Sequence, residues 1–263
     1  MRIYVCVKHV PDTASNIRPL GGPAFDETVK FIMNPYDEHA LEQALQTREK
    51  TGDSEVIAVT VGREAAVATL RTALAMGADR GILVKTDVYF TDSLETAHLL
   101  RQAIERDGSP GLIFTGKQSV DSEGMQLPYR LAALLDMPVI VDAVAFSIAG
   151  DLVTVEREVE GGVREVIEMT APCLVGAARG LNRPRCPTLP DMMKAKKKDI
   201  RIIDPAELAI PDCLPRVEIL DLQPVSDRGR GVILKGRPEA MAEELLALLE
   251  ETKVFSQREG EGR

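Results

Sequence analysis

Residues 114–135 read FTGKQSVDSEGMQLPYRLAALL. The stretch begins as the end of an apolar strand, runs into Gly116-Lys117-Gln118, and closes as a helix. Between them lies the polar turn SVDSEG, residues 119–124. Upstream the same alternation recurs. RIYVCVKHV (2–10) reads as a strand, and NPYDEHALEQALQTREKTG (34–52) as a helix with Ala40, Leu41, Ala44 and Leu45 on one face. SEVIAVTVG (54–62) is a strand, and REAAVATLRTALAMGAD (63–79) a helix stopped by Gly77. RGILVK (80–85), TDSLETAHLLRQAIERDG (91–108) and PGLIFTGK (110–117) continue as strand, helix, strand, and SEGMQLPYRLAALLDMP (122–138) as the next helix. Short β-branched runs separated by helices predict an α/β fold with a doubly wound, mostly parallel sheet.

After Pro138 the texture changes. Residues 139–178 read as strand, turn, strand, turn, strand, with hairpin signals at Gly150-Asp151 and Gly161-Gly162. These predict antiparallel additions that extend the sheet or form a small lobe. RGLNRPRCPTLPDMMKAKKKDI (179–200) is Pro-rich and basic, a loop followed by a short helix. The tail has frequent prolines and one clear helix, RPEAMAEELLALLEETK (237–253). That is too little apolar material for a core of its own. The expected division is therefore a nucleotide-binding α/β domain over 1–201 and an arm over 202–263 that lies against something else.

Composition excludes several classes. The 263 residues carry a net charge of −9, against the basic face of a nucleic-acid binder. With no Trp and 4% aromatics, a base-stacking surface is not expected either. No apolar run approaches the roughly 18–20 residues of a membrane span, and the first residues lack a signal-peptide pattern, so a cytoplasmic protein is expected. Cys6, Cys173, Cys186 and Cys213 show no paired spacing, and His9, His39 and His98 are scattered, so no metal site is expected. Cys6 reads as a small core residue.

In an open parallel sheet, ligands sit beyond the carboxyl ends of the strands, where strand order reverses. A helix starting at Ser122 would present unpaired N–H groups and a positive dipole end there, suited to a phosphate. The same Ser122 also reads as an ordinary N-cap. Asn34-Pro35 precedes the first helix and should fall on the same rim. Asn34 either caps that helix or hydrogen-bonds a base or ribose. Gly-x-Gly-x-x-Gly and Walker motifs are absent.

CVKHVPDT, NPYDEHALEQAL, EVIAVTVG, RTALAMGADRGILV, TGKQSVDSEGMQ, VEREVEGG and RPRCPTLPDMMKAKKK stand in the order and spacing of the electron transfer flavoprotein beta subunit family, which this chain resembles from residue 1 to about 205. The tail is similar to that family's C-terminal arm. The resemblance implies an adenine-nucleotide α-hydrolase-like fold and a heterodimer with an alpha subunit that holds FAD. It implies electron shuttling from dehydrogenases, typically of the acyl-CoA type, to an acceptor such as a quinone oxidoreductase, with no catalytic acid or base. It also implies AMP in this subunit.

Carried over, the nucleotide contacts fall on Cys6, Asn34, Pro35, Tyr36, Asp37 and Val61. The remainder are Gly116, Lys117, Gln118, Ser119, Val120, Asp121, Ser122, Glu123, Gly124, Met125, Gln126 and Leu127. Leu189 matches a loop that docks into an apolar pocket of the dehydrogenase. Beside Lys194, Lys196, Lys197 and Lys198 it reads as an anchor with a basic rim, or else these residues form a solvated helix face. Glu158 matches an acidic residue near the partner's flavin, or is a surface strand residue. Mitochondrial-type members have Asn-Gln-Thr where this chain has Met125-Gln126-Leu127, whereas electron-bifurcating members, which bind a second FAD here and oxidise NADH, have Ala-Gln-Val. Their Asp-Gly-Asp-Thr lead-in is replaced by Asp121-Ser122-Glu123-Gly124. AMP and a second FAD both remain open, as does a nucleotide-binding regulatory protein of the same fold.

Overall fold

The computed structural model describes residues 1–211, 216–224 and 231–252; Cys213 and Lys253 lie outside them. β1 (Arg2–Cys6) is shorter than the strand expected over 2–10. The chain leaves the sheet at Lys8, whose N–H goes to the Asp37 carboxylate and whose carbonyl accepts from Asn34 N. β2 (His9–Pro11) then pairs with β5 (Phe31–Met33), and between them β3 (Pro19–Gly21) and β4 (Ala24–Phe25) form a small hairpin.

α1 (Pro35–Thr51), β6 (Glu55–Gly62), α2 (Val67–Met76), β7 (Arg80–Lys85), α3 (Ser93–Asp107) and β8 (Leu112–Gly116) follow the expected alternation. Gly77 ends α2 at φ 136°, a left-handed position suited to glycine. α4 (Leu127–Leu134) starts later than expected, for reasons that belong to the site.

Residues 139–178 give four strands rather than three: β9 (Val139–Ala149), β10 (Leu152–Glu158), β11 (Arg164–Thr170) and β12 (Cys173–Ala177). Pro172, which lacks an N–H, ends the antiparallel ladder. The buried run Cys173–Ala177 then pairs in parallel with β8 on one side and β9 on the other. The additions extend the sheet. β10 and β11 form its outer hairpin, with Arg157 paired to Glu165 at 2.6 Å and Arg164 to Glu156 at 3.5 Å. α5 (Leu189–Ala195) and β13 (Ile200–Ile203) follow, and β13 pairs in parallel with β7.

Among the described residues the resulting sheet has nine strands in the order β11-β10-β9-β12-β8-β1-β6-β7-β13. Strand alternation fills both faces. Ile3, Val5, Leu112 and Phe114 belong to the core under α1 and α2, whereas Tyr4, Cys6, Ile57 and Ile113 belong to the core under α3 and α4. The chain divides into Met1–Leu222 and Gln223–Arg263, so β13 spans the boundary expected at 201/202 and stays with the sheet. In the second unit α6 (Pro238–Glu251) has no buried residue, and Leu245 and Leu246 are exposed. Among the described residues, no helix is long and apolar enough to cross a membrane.

Candidate functional site

β1 and β8 are neighbours, yet the chain visits β6 and β7 on the far side of β1 before returning to β8. Strand order therefore reverses between β1 and β8, and their carboxyl ends carry Cys6 and Gly116. Three segments meet at this rim: the chain after β1, the start of α1, and the turn after β8.

Asp37 joins them. Its buried carboxylate accepts from Lys8 N at 2.7 Å, from Asn34 Nδ2 at 2.8 Å and from Gly116 N at 3.0 Å. Asn34 precedes α1 but makes no side-chain cap bond. Its Nδ2 also donates to the Gln118 carbonyl at 2.9 Å, and its Oδ1 accepts from Val120 N at 3.1 Å. The reading of Asn34 as a side-chain cap is corrected: its amide makes no cap bond, and the turn after β8 engages both its nitrogen and its oxygen. Gly116 must lack a side chain, since a Cβ there would collide with Asp37 Oδ1 and lie 2.7 Å from Tyr36 Cβ.

The turn is braced a second time. Lys8 Nζ lies 2.7 Å from Asp121 Oδ2, Tyr89 OH donates to the same carboxylate at 3.0 Å, and Ser119 and Ser122 share a hydroxyl bond of 2.8 Å. Burial raises the Asp121 carboxyl, but Lys8 and the bonds from Ser119 and Tyr89 outweigh it and hold it below its ordinary value. Tyr89 is itself wedged edge-on against Phe25 and Phe90, with Arg63 over its ring.

The helix expected from Ser122 begins at Leu127, with Pro128 in its first turn. In a helix begun at Ser122, Pro128 would lie in the interior and clash with the carbonyl four residues earlier. The preceding residues leave the helical region instead: φ is +49° at Glu123 and +54° at Met125. Met125 is followed by Gln126 at φ −95°, ψ −27°. A left-handed residue beside a right-handed one turns successive N–H groups to one side, forming an anion-binding concavity. Among the described residues, the N–H groups of Gly124, Met125 and Gln126 have no acceptor. Anion-seeking amides thus exist at this turn, presented by positive-φ backbone rather than by a helix begun at Ser122.

Met125 is exposed, whereas Leu127 packs against the core under α3 and α4. The two apolar replacements are therefore unlike: one faces the rim and one the interior. Val61, the last residue but one of β6, is half-buried against that same core, and Pro35 is half-buried at the front of α1. Burial, then the nearby Asp37 charge, pushes the Cys6 thiol up to about 12, the behaviour of a core thiol rather than a nucleophile.

On the other side of Gly116, the Tyr36 ring has Lys117 Nζ at 5.7 Å and the Arg179 guanidinium at 5.6 Å. Lys117 Nζ donates to Asp142 at 2.8 Å. That carboxylate, with lesser help from Tyr36 and Glu158, holds the Lys117 ammonium above its ordinary value. Glu158, exposed on β10, is thus within electrostatic reach of the rim. Leu189 is not part of it; it begins α5, which packs on α2.

Sequence reasoning missed Lys8, Tyr89, Asp142, Arg179 and Asp92. Asp92 caps α3 through Leu94 N at 2.6 Å, pairs with Arg130 at 3.0 Å, and accepts from the N–H groups of Arg216 and Val217 at 2.8 and 2.9 Å. Asp92 stands in the Thr91-Asp92-Ser93 start of that helix, an N-cap signal, whereas its bonds to Arg130, Arg216 and Val217 have no local sign.

Burial pushes the Asp37 carboxyl from 3.8 up to about 7, outweighing the bonds from Asn34, Lys8 and Gly116 that favour its charged form. Between those values the folded chain binds a proton that the unfolded chain does not. The contribution of this group to stability is therefore full below about pH 4 and falls as the pH rises towards 7. Asp37→Asn removes this dependence, while costing about 1–3 kcal/mol because an amide N–H must face a donor. Urea midpoints should show the gap between wild type and variant narrowing from pH 4 to 7. A constant gap would show that Asp37 does not titrate there.

The sequence profile described as "Electron transfer flavoprotein domain" matches residues 24–208. "Electron transfer flavoprotein subunit beta" of Bacillus subtilis (strain 168) is 39% identical over 262 residues, covering 97% of this chain and 100% of that one. The subunit of the same name from Mus musculus is 38% identical over 256 residues, covering 95% and 97%. "Electron transfer flavoprotein subunit beta, mitochondrial" of Arabidopsis thaliana is 40% identical over 243 residues, covering 91% and 95%. A parallel sheet with its polar turns gathered at the strand-order reversal, and likeness along nearly the whole chain, lead to one assignment: the chain belongs to the electron transfer flavoprotein beta subunit family.

Proposed function

We propose that this chain is the beta subunit of a heterodimeric electron carrier, and that its rim holds an adenine nucleotide beside an FAD held mainly by an alpha subunit. The observation that carries the nucleotide reading is the set of unpaired amides at Gly124, Met125 and Gln126, at the reversal of strand order. Backbone donors bind a phosphate without the polar side chains that Met125 and Leu127 lack. The flavin, when bound, supplies the electron-accepting chemistry; this chain's residues position it and exclude water. Electrons pass from a dehydrogenase, of the acyl-CoA type, to a quinone oxidoreductase or another acceptor, in the cytoplasm. Among the described residues, no group of His, Cys, Asp or Glu is arranged to hold a metal.

A second reading has its own observation. Met125 is 40% exposed at the rim, an apolar surface that suits a flavin path better than a terminal phosphate. In that reading the nucleotide is the AMP portion of a second FAD, and the subunit takes part in bifurcation from NADH. A regulatory nucleotide-binding protein of the same fold leaves the β10–β11 hairpin and the arm without a use.

Denaturing release from the purified heterodimer separates these readings. One FAD and one AMP mark the plain carrier, two FAD the bifurcating form, and a single FAD with no other nucleotide overturns the cradle. Met125→Asn places a residue that tolerates positive φ and adds a polar contact near the phosphate. One hydrogen bond to a charged group is worth about 1.5–3 kcal/mol, so AMP affinity should rise by about tenfold or more. Leu127→Thr should add less, since Leu127 faces the core.

The arm, which carries the exposed apolar residues of α6, completes its packing on the alpha subunit in this proposal. The isolated chain should then self-associate in sedimentation and become a single species on adding the partner; a well-behaved lone monomer would count against it. Leu189, 73% exposed, is the anchor for the dehydrogenase. Leu189→Ala should weaken that docking by about 1–3 kcal/mol without changing flavin content. Unchanged transfer at every dehydrogenase concentration would remove Leu189 from this role.

A further inference from the structure

Residues 179–198 leave β12, cross α1 and return along α2 to β13, and two polar clamps hold this path. On α1, Arg185 donates from its backbone N–H and Nε to Glu42 Oε2 at 3.1 and 2.8 Å, and from Nη2 to Glu42 Oε1 at 3.0 Å. Its Nη1 reaches Glu49 at 2.8 Å. Glu42 is buried, and burial alone would raise its carboxyl, but Arg185 and Gln46 bring it below its ordinary value. On α2, Arg71 Nη1 donates to the carbonyls of Ala195 and Lys198, both at 2.7 Å. Lys198 Nζ returns to the carbonyls of Leu74 and Ala78 at 3.1 and 2.6 Å.

Between the clamps stands α5, seven residues long and started by a reciprocal Thr188–Asp191 capping box. A helix of that length does not persist alone in water. It nonetheless presents Leu189, Met192 and Met193 at 73%, 51% and 57% exposure, with Lys194, Lys196 and Lys197 beside them. Single exposed apolar residues are ordinary, but three on one short helix, anchored at both ends by charged side chains, form a prepared surface. Anchoring before contact removes much of the ordering cost of binding.

We infer that Arg185 and Arg71 are positioning residues for partner recognition: they hold α5 in the shape that presents Leu189 to a dehydrogenase with an apolar pocket and an acidic rim. Both act through α5. The inference rests on the docking role proposed above for Leu189 and extends it to residues inside the fold. Arg185 in particular is not replaceable by any cation, because its planar fork meets both oxygens of Glu42 while its third nitrogen reaches Glu49. Lysine keeps the charge and loses that geometry.

The test uses the complete heterodimer, reduced by a purified acyl-CoA dehydrogenase and its acyl-CoA substrate, with the heterodimer concentration varied. Arg185→Ala and Arg71→Ala should each raise KM by about five- to tenfold with kcat unchanged, the scale of losing the order of a few side chains at an interface. Arg185→Lys should fall between wild type and Arg185→Ala. In a Leu189→Ala background, Arg185→Ala should add little, because a residue acting through Leu189 has nothing left to position. Hydrogen exchange over residues 186–196 should quicken in Arg185→Ala while β1 and β8 stay protected. Should Arg185→Ala fail to assemble, Glu42→Gln, which keeps the side-chain shape and removes the charge, gives the same readout. A raised KM for Leu189→Ala with none for the clamp variants overturns the positioning role alone. An unchanged KM for Leu189→Ala overturns the docking role and this inference with it.

Discussion

One carboxylate holds the rim together. Asp37 accepts from the backbone after β1, the backbone at the end of β8 and the side chain before α1, so three segments distant in sequence share one buried acceptor. The arrangement explains why Gly116 must be glycine and why the Asn34 amide bonds the Asp37 side chain rather than capping the backbone of α1. It also places a cost at the centre of the site, since a buried negative charge is expensive even with three donors around it. Lys8, whose N–H meets Asp37, sends its ammonium to Asp121 instead, so the same residue ties the chain after β1 both to α1 and to the turn after β8. What remains unpaired there is a short run of backbone N–H groups.

The parallel sheet was legible because its signals are local. The alternation of β-branched runs with helical periodicity places β1, β6, β7 and β8 from residues that lie next to one another in sequence. The stop at Gly77 and the Pro35 start of α1 are also local chemistry. β12 was harder to see, because Pro172 is the one local break before it and its parallel pairing is decided by two distant neighbours, β8 and β9.

The candidate site divides along the same line. Its location at the polar turn was legible, and its construction was not. A helix from Ser122 agreed with the residues immediately there, and only the position of Pro128 argued against it. Asn34 and Asp37 sat in a motif that reads as a helix start, and their true partners, Gln118, Val120 and Gly116, lie about eighty residues away. Tyr89 carries no motif, and Lys8 stands in CVKHVPDT without a local sign of its reach to Asp121. Resemblance to a family supplied positions for these contacts without the reason each position is needed.

The outer hairpin of the sheet bears on how the chain behaves before it meets a partner. β11 is an edge strand, and an edge offers a row of unused backbone groups to any strand that drifts by. Here that row is flanked by Arg164, Glu165 and Glu168, while Val166 stands exposed between them. A second copy approaching in the same register would bring like charges together and strip water from them. The guard is electrostatic and therefore conditional: it weakens as salt shortens the range of charge repulsion, roughly from 10 Å at 0.1 M to 3 Å at 1 M. Among the described residues charge rather than a covering element guards this edge, so concentrated salt is the condition under which sheet-to-sheet growth at β11 meets least resistance.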